Sequence, residues 1–232
     1  MKRSLIAISV LIFSMGCRGP SGDMGATGAT GATGPQGPAA PVPVVSPTQQ
    51  QINDLIAAEN SYRESLGQSE LSPGLSCSVQ AISAGQYLSS SSPGYTAAQA
   101  ITLTGPSYPY LLTKGFDQPN SGPGPNSVID PEIQPLFETN NYRISCSGQL
   151  VVLEDGYHGF AMSSDDGSIL TIDGTQVINN DGNHGVSTVS GTKNLRMGVH
   201  TFSLLYAQSG GGQFALILSL DGSVLPAANL YH

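Results

Sequence analysis

The sequence predicts an all-β head, a β-sandwich or barrel, preceded by a collagen-like segment and a short α-helix. Three observations carry this. Only 10% of the 232 residues are charged, which disfavours long solvated helices. There are 29 Gly and 16 Pro, with abundant Ser, Thr and Asn, so the chain must turn often. Gly also recurs at every third position from Gly19 to Gly37, ahead of any strand pattern. The length allows one good-sized domain with accessory segments. Eight Lys and Arg against sixteen Asp and Glu give −8; without Lys2 and Arg3 the balance is six against sixteen, or −10. Phosphate backbones repel so acidic a chain, which excludes nucleic acid as a partner.

Residues 1–16 have the shape of a secretory signal peptide. Lys2 and Arg3 precede an apolar run from Leu5 to Phe13, too short to span a bilayer, and small Gly16 precedes Cys17. The ending Ser14-Met15-Gly16-Cys17 resembles the lipobox of bacterial lipoproteins. That resemblance implies cleavage before Cys17 and its acylation, giving a lipid-anchored protein. Arg18 is not the Asp that retains many such proteins in the inner membrane, so the expected location is the outer membrane or cell surface. The alternative is an ordinary signal peptide with a chance cysteine. With Cys17 taken by lipid, Cys77 and Cys146 remain as an even pair in an oxidising compartment, either as a disulfide or as two buried thiols. A disulfide closing a loop of about 70 residues contributes on the order of 4 kcal/mol.

Residues 17–39 carry the lipidated cysteine and seven consecutive triplets that begin with Gly, including Gly-Ala-Thr three times running. Only Gly fits the crowded axis of a collagen triple helix, so this period predicts one, with a flexible Gly-rich tether as the other reading. Residues 40–70 begin with a stiff Pro-rich connector, Pro41-Val42-Pro43-Val44-Val45-Ser46-Pro47. A helix follows. Thr48 and Gln51 have capping-box spacing, Gly67 is a stop, and Glu59 stands four residues before Arg63. Ile52, Leu55, Glu59, Tyr62 and Leu66 alternate spacings of three and four and so share one stripe. Such a stripe either packs on its own domain or, beside a collagen-like repeat, forms a short trimeric coiled coil. The expectation is a homotrimer.

Residues 71–232 read as the all-β head. Candidate strands fall at 76–83, 100–104, 108–114, 142–153, 157–163, 168–172, 176–178, 199–207 and 213–220. Alternation is clearest where Phe202, Leu204 and Tyr206 share one face and Phe214, Leu216 and Leu218 share another. Turn signals separate the strands: Asp155-Gly156, Asp173-Gly174, Asp181-Gly182, Gly210-Gly211-Gly212 and Asp221-Gly222. The Pro- and Ser-rich stretches 89–93 and 117–126 read as surface loops.

The segment from Tyr157 to Gly174 is specific. An aromatic strand holding Tyr157 and Phe160 leads into Ser164-Asp165-Asp166-Gly167, and the next strand ends in Ile172-Asp173-Gly174. This resembles the core motif of the anthrax protective antigen fourteen-kilodalton domain family, over roughly residues 141–220. The resemblance implies a β-sandwich of the kind used in flocculins, bacterial adhesins and glycosidase insertions, often for calcium-dependent sugar binding. In the calcium-binding members the linkage between the paired acids is cis.

The acid pair can also be argued physically. Successive residues of a strand point to opposite faces, so Asp165 and Asp166 share a cation only if the backbone departs from regular extension there. Hard carboxylate oxygens suit Ca2+, which takes six to eight oxygens. Further oxygens are expected from the turn after the penultimate long strand, through Gln208 and the carbonyls of Gly210 and Gly211. Asn183, His184 and Gln213 are the expected ligand-binding rim. Asn179 to Gly185 has the alternate oxygens of an EF-hand loop, but His184 stands where the sharp turn needs Gly and no Glu closes it. Asp173 reads as a hairpin-turn residue, and His158 and His200 as ordinary strand residues.

No GxSxG, HExxH, GxGxxG or P-loop pattern occurs, so no enzyme is predicted. The sequence therefore reads as a surface-anchored, trimeric adhesin binding carbohydrate or glycoprotein through calcium. The alternative is a non-catalytic structural surface module that makes protein–protein contacts without sugar.

Overall fold

The computed structural model describes residues 47–82, 103–121, 141–209 and 214–232. Cys17, the Gly-X-Y triplets, Gly210, Gly211 and Gln213 lie outside the described residues, as do the whole predicted loop 89–93 and residues 122–126 of the other. The described residues fall in one unit, Val44–His232.

Helix α1 spans Pro47–Ser65, opening one residue before the expected Thr48 cap. Proline suits that first position, where its missing N–H has no helical partner to lose. The helix stops as expected at Gly67, whose φ of 69° is left-handed. Arg63 does not turn to Glu59; its Nε donates to the Ser69 carbonyl at 2.7 Å. Ile52 and Ile56 are buried against Leu71, Val151 and Tyr231, with Leu55, Leu153 and Val199 around them. Asn60 locks the return of the chain: its Nδ2 donates to Leu71 O at 3.3 Å and its Oδ1 accepts from Leu71 N at 2.7 Å. Of the predicted stripe, Ile52 is buried, Leu55 and Glu59 are partly covered, and Tyr62 and Leu66 are exposed.

The head is two antiparallel sheets, as the sequence predicts. Its strands are β1 (Leu75–Ile82), β2 (Leu103–Leu112), β3 (Asp117–Ser121), β4 (Asn141–Val152), β5 (Gly156–Asp165), β6 (Ser168–Ile172), β7 (Thr175–Asn180), β8 (Ser187–Leu195), β9 (Gly198–Ser209), β10 (Phe214–Leu220), β11 (Ser223–Val224) and β12 (Leu230–Tyr231). The larger sheet runs β2-β1-β4-β9-β6-β7, with β12 also on β4. The smaller runs β11-β10-β5-β8, with β3 on β10. The inward residues of both sheets make one core, including Ile144, Phe160, Met162, Leu204 and Leu216. Burying each such side chain contributes roughly 1.5–3 kcal/mol.

Three differences from the sequence reading have physical causes. The predicted strands at 100–104 and 108–114 are one strand, β2, which lies at a sheet edge where Pro109 removes no needed donor. Strand β3 lies inside a stretch read as loop, and it too is at an edge. Strand β8 has no apolar alternation to announce it: before Leu195, buried at its end, its covered positions are Ser187, Val189, Gly191 and Lys193. Gly191 is required there, because a Cβ would sit 2.1 Å from Val177 O, so glycine lets the edges of the two sheets approach.

Cys77 and Cys146 face each other across the paired strands β1 and β4 and form a disulfide. Two hairpin turns carry matched latches. Asp173 and Asp221, at φ of 48° and 51°, each precede a glycine in a tight turn. Asp173 accepts from His200 Nδ1 and Thr201 N at 2.7 and 2.9 Å; Asp221 does the same with His158 Nδ1 and Gly159 N at 2.7 and 2.8 Å.

Candidate functional site

The site lies where the chain crosses from one sheet to the other. Asp165 ends β5 opposite Ala215, and Ser168 opens β6 between Tyr206 and Asn180. Only Asp166 and Gly167 make the crossing, and Gly167 O accepts from Ala207 N at 2.8 Å. The Asp165–Asp166 peptide is cis.

Both acids are buried, Asp165 at 8% and Asp166 at 4% exposure. For neighbouring carboxylates this is costly unless charge or hydrogen bonds compensate. Burial pushes the Asp165 carboxyl up from its ordinary value, and the charge of His184 pulls against that rise. Asp166 Oδ1 accepts the backbone N–H of His184 at 2.9 Å. Asp166 thus faces the loop between β7 and β8, and the charge of His184 acts on Asp165 from that same loop. That loop can close over them because residue 167 has no side chain. A Cβ on Gly167 would lie 2.6 Å from Asp181 Oδ1 and 2.8 Å from the Gly182 nitrogen.

Tyr206 supports the turn from within the larger sheet. Its fully buried hydroxyl contacts the Asp165 carbonyl and Gln208 Oε1. Burial raises the Tyr206 pKa well above its ordinary value, with the charges of Tyr142, Asp166 and Asp165 adding to the effect. Beside it, Ser164 Oγ and Ser168 Oγ meet at 2.7 Å. Asn180 Nδ2 donates to Ser164 Oγ at 2.8 Å and to Ser187 O at 3.0 Å, which ties strands β5 to β8 behind the acid pair. Asn180 O in turn meets His184 Nε2 at 3.0 Å.

The structure therefore brings Asp165, Asp166, Gln208 and His184 together. His184 reaches Asp166 through its backbone, while its ring nitrogens face the carbonyls of Gly185 and Asn180. Asn183 is half-buried in the same loop. The sequence assigns no role at the site to Tyr206, Asn180, Ser164 or Ser168. The polar identities of Asn180 and of both serines, at strand positions adjoining the acid pair, are the signal that could have marked them. His158 and His200 lie in strands β5 and β9, as expected, and also hold turns through Asp221 and Asp173.

Among the described residues, no cluster of three or more His, Cys, Asp or Glu that could hold a metal occurs. Any cation here would draw its charge from the two aspartates and its other donors from neutral oxygens. Two desolvated carboxylates, with the Gln208 amide oxygen reached through the Tyr206 hydroxyl, would form a hard donor set of the kind calcium takes. No described helix is long and apolar enough to cross a membrane.

These features define a two-sheet antiparallel sandwich with a buried acidic crossing at the end of its strands. The model of the PA14 domain family matches residues 127–223, within the head. The fold is similar to the crystal structure of the PA14 domain of the MpAFP antifreeze protein, at 20% identity and TM-score 0.50, covering 69% of this chain and 91% of that one. An anti-sigma factor domain-containing protein from Clostridium clariflavum matches at 18% identity and TM-score 0.49, over 69% of this chain and 47% of that one. The PA14 sugar-binding domain from an RTX adhesin matches at 17% identity and TM-score 0.48, over 69% and 98%. No curated protein matches the chain.

Proposed function

We propose that this chain is a lipid-anchored surface adhesin, trimeric on a collagen-like stalk, whose head binds carbohydrate or glycoprotein through calcium. The observation that carries this reading is the placement of Asp165 and Asp166, adjacent and both buried, with Asp166 bonded to the backbone of the loop that holds His184. Two like charges so placed repel and are poorly solvated, and a divalent cation between them relieves both costs. Asp165, Asp166 and Gln208 would hold the ion, with Gly210 and Gly211 carbonyls as further donors. When bound, calcium offers open coordination positions to vicinal hydroxyls, the feature that distinguishes a sugar from other neutral ligands. Asn183, His184 and Gln213 would then line the ligand. The chain's own residues supply the frame: Tyr206 fixes the Asp165 carbonyl, and the loop donates to Asp166. The match of the PA14 domain model to residues 127–223 supports the reading.

The test is a calcium titration of the full chain in detergent, followed by thermal melting and a glycan array with and without chelator. A ligand that binds only the folded state raises the melting midpoint, by about 2.7 kcal/mol of stabilisation at a hundredfold excess over its dissociation constant. A midpoint indifferent to millimolar calcium, with array binding that survives chelator, would favour the structural module instead.

A further inference from the structure

We infer that the outer flank of α1, from Leu55 through Tyr62 to Leu66 with Met197 beside its first turns, is the surface on which α1 of a second copy of this chain packs. The inference deepens the trimeric reading above and rests on it.

The inner face of α1 is already satisfied. Ile52 and Ile56 are buried on the sandwich, and Asn60 and Arg63 hold the backbone of the returning chain. The flank beside that face is covered only in part, at Leu55 and Glu59. Tyr62 and Leu66 are 61% and 54% exposed, and Met197 is 56% exposed. A groove of about 260 Å³ between helix and sandwich is lined by Gln51, Asp54, Leu55, Leu153 and Met197. Leu55, Glu59, Tyr62 and Leu66 follow the four-three-four spacing of a coiled-coil seam, and they extend about 17 Å along the helix.

The chain outside the described residues identifies the occupant. Gly-X-Y triplets end at residue 39, and α1 starts at Pro47. The eight steps from residue 39 to residue 47 span at most about 28 Å. A collagen triple helix has three parallel chains, so it would deliver three α1 helices in parallel, each within that distance of a common axis. Parallel helices brought together with an apolar flank pack by that flank. Glu59 in the seam weakens it, and seven triplets with Pro only at 20, 35 and 38 form a weak triple helix alone. Each element lowers the ordering cost of the other.

Sedimentation equilibrium of the full chain in detergent tests this. The natural sequence should give the mass of three chains. The double variant Tyr62→Glu, Leu66→Glu changes only exposed side chains, so the head should melt as before while the association constant falls at least a hundredfold. A monomeric natural chain overturns the inference. So does a double variant that stays trimeric at the same concentration, because the triplets would then hold the copies without the helix flank. Calcium-dependent melting measured on the double variant judges the head separately: if it persists while the mass falls, the flank alone has been broken.

Discussion

His158 Nδ1 stands 2.7 Å from Asp221 Oδ2, while the Nε2 of the same ring meets Glu154 O at 3.0 Å. Both ring nitrogens face acceptors, so the doubly protonated imidazolium fits the pocket best. Burial by itself lowers the His158 pKa, but the hydrogen bonds to Asp221 and Glu154 O, with the Asp221 charge, outweigh it and leave it raised. Burial would raise Asp221, and the bonds from His158 and Gly159 N–H outweigh that and hold it low.

The sign of the pH dependence follows. His158 contributes stability that is complete below its unfolded pKa, about 6.5, and is lost as pH rises through its higher folded pKa. Asp221 contributes stability above its unfolded pKa, about 3.9, lost as pH falls through its depressed folded value. Melting midpoints should therefore decline on the alkaline side of pH 6.5, and Asp221→Asn should flatten that decline. The variant should also melt about 2–4 °C lower at pH 6. An unchanged pH profile in the variant would mean the latch carries no such linkage.

Tyr206→Phe removes the hydroxyl that contacts the Asp165 carbonyl and Gln208. The expected loss is about 1–2 kcal/mol in urea unfolding. The calcium-induced rise in melting temperature should shrink with it, since two donors lose their shared support. A full calcium response in the variant would separate Tyr206 from the site.

Gly167→Ala places a methyl against backbone at Gly182 and against Asp181 Oδ1. The loop must withdraw, at a cost of about 1–3 kcal/mol. Amide exchange should speed up at His184, whose N–H bonds Asp166. Protection equal to that of the natural chain would show that the loop tolerates the methyl in place.

Asn180→Ala leaves Ser164 Oγ and Ser187 O without their amide donor inside the crossing. Unfolding free energy should fall by about 1–3 kcal/mol, and Asn180→Asp should not restore it, because its carboxylate cannot donate to Ser187 O. Chemical denaturation of both variants checks this.

Reduction of the Cys77–Cys146 bridge, or Cys146→Ser, should cost about 4 kcal/mol by loop-closure entropy. Melting with and without a thiol reductant measures it directly.

Much of the head was legible from local pattern. Phe202, Leu204 and Tyr206 alternate because one face of β9 is core, and Asp-Gly pairs marked the turns because only a few residues accept left-handed φ. Strand β8 was not legible, since an edge strand that covers Val177 with Gly191 has no apolar period. The acids were legible as a motif. Their supports were not: Tyr206 reads as core from its spacing and its hydroxyl acts on a residue 41 positions away. His158 and Asp221 are 63 positions apart, and His200 and Asp173 are 27 apart, distances at which local pattern carries no pairing information.

Helix α1 packs near Val151 and Val199, whereas the acidic crossing lies near Tyr206 and Gln208, on the same strand β9. Val199 and Gln208 are nine residues apart, about 30 Å along an extended strand. Tension applied between the tether and a captured ligand would run parallel to β4 and β9. The cross-strand bonds of that ladder lie perpendicular to the pull. On the proposed reading they would be loaded in shear, all at once, rather than unzipped singly, and a tethered head would resist extraction by flow.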